Sequence, residues 1–112
     1  MMEAIRHATD RLIAAGYRQS FRADREGLHV LPSDALYAPE DLIVDDVLRF
    51  EGESDPDEQA VLFALRARSG HVKGTYLVPF GPAMPLADAR AVERLPMRGR
   101  RPSPELRRTG RE

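Results

Sequence analysis

The chain contains no cysteine and no tryptophan in 112 residues. Without cysteine there is no disulfide framework, no thiolate nucleophile and no Cys-based metal centre, which fits a reducing compartment. Long hydrophobic runs are absent too. The longest is Ala60 to Leu65, far short of the roughly 20 apolar residues a bilayer-spanning helix needs. The first residues hold no apolar core of the kind a secretory leader carries, so a soluble, cytoplasmic protein without a membrane partner is expected. Familiar catalytic templates are also missing: there is no Walker loop, G-x-G-x-x-G, G-x-S-x-G or H-E-x-x-H.

What is present is enough for one domain, able to bury roughly two thirds of its unfolded surface. The formal charge of −1 conceals a split. Residues 1–95 carry eleven basic and sixteen acidic side chains, a balance of −5, and residues 96–112 carry six Arg and two Glu, a balance of +4. Between Asp34 and Glu58, ten acids face a single base, Arg49. The chain therefore has an acidic middle and a basic end. We read 1–95 as one domain and 96–112 as an Arg/Pro-rich tail too poor in apolar residues to offset its ordering entropy.

The framework of the domain lies between Arg49 and Gly81. Ala60–Leu65 (AVLFAL) is apolar on both of its alternating faces, so it reads as a central strand sheltered on each side. Ser69-Gly70 signals a hairpin into a second strand, Val72–Val78, which Pro79, Gly81 and Pro82 end. Gly74 inside that strand implies a bulge or a close approach of another backbone. Val47–Glu51 is a third strand with Leu48 and Phe50 inward, and Gly52–Glu58 is a turn built on Asp55-Pro56.

Ahead of this frame, Met2–Ala15 reads as an amphipathic helix, with Ile5, Ala8, Leu12 and Ile13 on one face and Gly16 as its stop. Tyr17–Ala23 and Leu28–Leu31 read as strands around an Asp24–Gly27 turn. Ser33–Pro39 reads as a loop, and Leu42–Val44 as loop or a single turn. After the frame, Pro82 and Pro85 form a rigid linker, and Asp88–Leu95 is a short helix with Val92 and Leu95 inward. The fold class is α+β. A mostly antiparallel sheet of four or five strands is packed by an N-terminal helix and a short C-terminal one.

Four groups of residues could carry chemistry. Leu42 to Val44, followed by Asp45-Asp46 and then Gly52, resembles the phosphoribosyl-pyrophosphate motif of phosphoribosyltransferases. There, acids hold ribose hydroxyls and a Thr/Gly-rich loop cradles a 5′-phosphate. The loop here lacks a Thr-Thr-Gly run and carries Glu51 and Glu53. The acidic turn with Glu51, Asp55 and Asp57 is rich in the oxygens hard cations take, but EF-hand spacing is absent and a Pro56 turn needs no ion. His71 and Lys73, with Arg66 and Arg68, make a basic hairpin end suited to an anion. The three histidines show no ligand spacing, so no metal is expected. The tail arginines could meet nucleic-acid phosphates, but no aromatic residue interleaves them and the body is acidic.

The order Arg49-Phe50-Glu51-Gly52-Glu53-Ser54-Asp55-Pro56-Asp57, then AVLFAL, then His71-Val72-Lys73-Gly74, resembles a family of small uncharacterised bacterial proteins. These often carry the name phosphoribosylpyrophosphate synthetase. The resemblance covers residues 3–95 and implies a shared fold. The enzymes that make that compound are far longer and have a nucleotide site without a counterpart here.

Three functions follow in order. The first is a small non-enzymatic binding or interaction module, homodimeric, because one short helix cannot cover the second sheet face. The second is phosphoribosyl or nucleotide chemistry or binding at Asp45 and Asp46, with Mg²⁺ the only cofactor and only under this reading. The third is nucleic-acid contact through the tail. The candidate ligand-binding set is Asp45, Asp46, Arg49, Glu51, Asp55, Asp57, His71 and Lys73, with no catalytic residue and no metal ligand assigned.

Overall fold

The hydrophobic hexapeptide sits inside a nine-residue strand with neighbours on both sides. The computed structural model describes residues 5–51, 59–81 and 84–97. In chain order the elements are α1 (Ile5–Ala14), β1 (Gln19–Asp24), β2 (Gly27–Leu31), β3 (Ala35–Tyr37), a 3-10 turn at Pro39–Asp41, β4 (Leu42–Glu51), β5 (Gln59–Ala67), β6 (Lys73–Phe80) and α2 (Leu86–Arg94). They form one six-stranded sheet in the order β3-β2-β1-β6-β5-β4. β1–β2–β3 and β4–β5–β6 are antiparallel meanders, and a parallel β1–β6 pair joins them.

The expected shelter of AVLFAL is realised. Val61, Phe63 and Leu65 join the larger core under α2, where Ala91 and Leu95 are also buried. Leu62 and Ala64 point the other way, into a smaller cluster with Ala8 and Leu12 of α1. Phe63 stacks on Tyr76 with ring centroids 5.8 Å apart, an offset arrangement that aromatic quadrupoles favour. The Tyr76 hydroxyl donates to the Asp88 carboxylate in the first turn of α2 and so ties that helix to the sheet.

Gly74 explains the seam between the two meanders. A Cβ there would lie 2.5 Å from the Gln19 carbonyl oxygen, so only glycine lets β1 come this close to β6. The expected backbone approach is real, and its partner is β1. The pairing is brief: Gln19 faces Gly74 and Ser20 faces Thr75.

Several sequence expectations need correction. The sheet has six strands, and one pair is parallel. Leu42–Val44 belongs to β4, which is continuous to Glu51 because a bulge between Val44 and Asp46 absorbs one residue. The Ser33–Pro39 loop contains β3, paired with β2 from Leu28↔Tyr37 to Val30↔Ala35. Pro79 continues β6 opposite Ala60. The β1–β6 pairing stops at Thr75, so Pro79 lies beyond the stretch where β6 is bordered by β1, as the missing proline N–H favours. The acidic turn with Asp55 and Asp57, and the tail from residue 98, lie outside the described residues. Among the described residues, no helix is long and apolar enough to cross a membrane.

Candidate functional site

Asp45 is the focus of the polar cluster that the sequence pointed to, and backbone geometry puts it there. The β4 bulge leaves Asp45 without a partner on β5, so its side chain turns toward the end of the sheet where α1 terminates. α1 ends in a Schellman motif. The Tyr17 N–H donates to the Leu12 carbonyl and the Gly16 N–H to the Ile13 carbonyl, with Gly16 at φ 109°. That motif holds the Tyr17 ring beside Leu12 and aims its hydroxyl at Asp45 Oδ2, 2.6 Å away.

Arg66, on β5, approaches from the other side. Its Nε lies 3.0 Å from Asp45 Oδ2 and its Nη2 3.0 Å from Oδ1, a two-point grip on the carboxylate. Lys73, opposite Arg66 on β6, sets its Nζ over the Tyr17 ring, 4.6 Å from the centroid. Gly16 leaves room for it, since a Cβ there would lie 3.2 Å from that Nζ.

Burial pushes the Asp45 carboxyl up, but hydrogen bonds from Arg66 and Tyr17 outweigh it and hold the group below its usual range. Burial, then the hydrogen bond to Asp45, pushes the Tyr17 phenol up to about 12. The phenol is therefore a firm donor and no base near neutral pH. Both Asp45 oxygens already accept hydrogen bonds. Asp46 Oδ1 accepts the Val47 N–H at 2.9 Å. The cluster fastens the end of α1 to β4 and β5, and the Lys73 ammonium is its one cation held against an aromatic face.

The structure thus brings together Asp45 and Lys73 from the expected set, with Asp46 adjacent. Arg49 lies further along β4, its guanidinium 5.9 Å from the Phe80 ring centroid. Glu51 ends β4. His71 is exposed in the β5–β6 turn. Tyr17 and Arg66 were absent from the candidate set. Arg66 was legible as part of the basic hairpin end, whereas the role of Tyr17 depends on the register between α1 and β4, which no local pattern carries.

A second cluster had no sequence signal. It lies on the α1-side face at the β1–β2 turn. His29 pairs with Arg22 across the strands, two residues from the Asp24↔Gly27 pair, so His29 and Asp24 share a face. His29 Nε2 is 2.7 Å from Asp24 Oδ2 and 4.0 Å from Glu26 Oε1. On the other side of the ring, Nδ1 is 3.0 Å from Asp34 Oδ1 and 3.4 Å from the Asp34 carbonyl. Asp34 reaches it from the turn after β2, at φ 67°, a left-handed conformation that aspartate tolerates. Burial lowers the His29 pKa, but the Asp34 and Asp24 contacts outweigh it and raise the value. The Asp24 carboxyl is held down, first by the Glu26 backbone N–H it accepts at 2.8 Å.

A shallow cleft of about 200 Å³ lies between α2 and the β1–β2 turn. It is rimmed by Arg25, Arg90 and Arg94, the last engaged with Glu40 at 2.7 Å. Enclosed metabolite sites usually exceed roughly 300 Å³.

The chain matches no protein-family model, no curated protein and no solved structure. Its function has to be read from its own surface chemistry.

Proposed function

We propose that the protein is a non-enzymatic interaction module that pairs with a second copy of itself through the open part of its α1-side sheet face. The observation that carries this reading is the uneven cover of that face. α1 packs on β5 and β6, over Leu62 and Ala64. Towards β3, Leu36, Leu77 and Leu31 are 49%, 47% and 37% exposed. Leu36 faces His29, Leu31 faces Ser20 and Leu77 faces Leu62, so all three lie on one side of the sheet.

The charges between these leucines favour a copy of the same chain as the occupant. Arg22 and Asp34 lie in one patch, 3.6 Å apart. A two-fold interface is self-complementary, so Arg22 of each copy can meet Asp34 of the other. The sheet borders are poor alternatives. β3 has only three residues. β4 is guarded by its bulge and by Asp45, Asp46 and Arg49, devices that block strand addition.

The open area spans four strands, about 14 Å by 16 Å on standard strand spacings. That is small beside the roughly 800 Å² per partner of a stable interface, and it fits a dimer that dissociates readily. The phosphoribosyl reading draws less support, because Asp45 already accepts hydrogen bonds at both oxygens. Sedimentation velocity over a wide concentration range tests the proposal. The parent chain should shift toward dimer at high micromolar concentration, and Leu77→Asp should stay monomeric. A parent chain that is monomeric throughout refutes it.

A further inference from the structure

We propose that Asp24, Glu26 and His29 form a divalent transition-metal site at the β1–β2 turn, with His29 Nε2 as the nitrogen ligand and Asp34 as the group that orients it. One ligand atom from each of the three residues falls within 4.8 Å of the other two. This is the reach of a small polyhedron around one ion. One nitrogen and two carboxylate oxygens suit zinc or manganese better than magnesium, which prefers an all-oxygen shell.

Two features lift the cluster above a chance gathering of acids. The first is the state of Nε2. The His29 side chain is only 11% exposed. Its Nε2 is shut off from solvent and makes no aligned hydrogen bond, although Asp24 Oδ2 is only 2.7 Å away. An oxygen that shares a metal with an imidazole nitrogen lies off the nitrogen's axis, because the ion occupies that axis. The oblique carboxylate is where a co-ligand belongs.

The second feature is on the far side of the ring. Nδ1 faces both the carboxylate and the carbonyl of Asp34. Metal-binding histidines typically donate their second N–H to such a group, which fixes the tautomer and leaves the Nε2 lone pair for the ion. With Nδ1 donating, a neutral ring would turn that lone pair on the Asp24 carboxylate, a repulsion that a cation between them removes. The groups in contact with His29, together with Arg22, comprise three carboxylates and one guanidinium. The excess of two negative charges matches a dication. All its ligands come from one chain, and although Asp34 and Arg22 also lie in the proposed self-association patch, a titration at low micromolar protein reads the site in the monomer.

The test is a Zn²⁺ titration of the full chain near neutral pH, at low micromolar protein for affinity, with the histidine ring nitrogens followed separately by ¹⁵N NMR. Zinc should move His29 Nε2 first and leave exposed His71 unaffected until a large excess, while Mg²⁺ has no effect on the ring. Glu26→Gln, at an exposed turn position, should weaken zinc binding about ten-fold with the fold intact. Asp34→Asn should weaken it by about 10-fold or more through the orienting bond. His29→Gln should abolish the first binding event. The proposal is overturned if His29 stays silent at millimolar zinc, if His71 responds first, or if Glu26→Gln binds zinc as tightly as the parent.

Discussion

Replacing Gly74 by alanine tests whether the two halves of the sheet are held apart or together by a missing methyl group. In an ordinary strand this change stabilises by about 0.5–1 kcal/mol, because glycine has more chain entropy to lose. Here the new Cβ would sit 2.5 Å from the Gln19 oxygen, 2.7 Å from the Gln19 carbonyl carbon and 3.1 Å from Phe21 Cε2. Ordinary contact begins near 3.4 Å, so β1 must retreat by about 0.9 Å, enough to break hydrogen bonds normally about 2.9 Å long. Overpacking of this kind costs about 1–3 kcal/mol. The strand-propensity gain offsets part of it, leaving a net loss of about 1–2 kcal/mol. For a domain of this size that lowers the melting temperature by about 5–15 °C. Circular-dichroism melts and urea titrations would measure it, and amide shifts should centre on Gln19 to Phe21. Gly70→Ala serves as the control. It has φ 84° but no atom within 4 Å of its new Cβ, so it carries only the left-handed backbone cost of about 1–2 kcal/mol and leaves β1 shifts alone. A Gly74→Ala variant as stable as the parent would show that the seam is not sterically set and refute the reasoning.

Two further predictions concern the polar contacts that fasten the helices. Hydrogen bonds from Arg66 and Tyr17 outweigh burial and depress the folded-state pKa of Asp45. A depressed pKa gives stability that is present above the unfolded value, near 4, and lost as pH falls through the folded value. The urea midpoint of the parent should therefore exceed that of Asp45→Asn at pH 7, and the gap should close in strong acid. A gap that survives full protonation would contradict the clamp. Burial, reinforced by the bond to Asp88, pushes the Tyr76 phenol well above its ordinary range. Tyr76→Phe should cost about 1.5–3 kcal/mol, the range for a bond to a charged acceptor, with an unchanged denaturant slope. Wild-type stability in that variant would mean that the bond to Asp88 adds nothing to the docking of α2.

What was legible in the sequence follows from what is local. AVLFAL announced a doubly covered strand because six apolar residues in alternation have no exposed side to offer. Gly16 announced the end of α1, and its positive φ and Schellman bonds bear this out. Gly74 announced a close neighbour without saying which one. The parallel β1–β6 pair links residues about fifty-five positions apart, and nothing in either segment encodes that partnership. The β4 bulge was missed for a related reason. Asp45-Asp46 looked like a break in the apolar pattern, although one extra residue lets the strand continue in register on the far side. At the sites, Asp45 and Lys73 were found as charges, whereas Tyr17 and the Asp24–His29–Asp34 grouping arise from strand pairing and helix docking.

The central position of β5 has a consequence for what happens when the fold opens. A stretch such as Ala-Val-Leu-Phe-Ala-Leu, uncharged and free of glycine and proline, has the composition of a dry amyloid spine. In the folded chain its backbone is saturated by β4 and β6 and its side chains are covered from above and below. Arg66 and Arg68 follow it directly and act as charged gatekeepers against stacking. The same segment that organises the native sheet is thus the one whose release would seed fibres, and the integrity of its two flanking strands protects the protein from its own core.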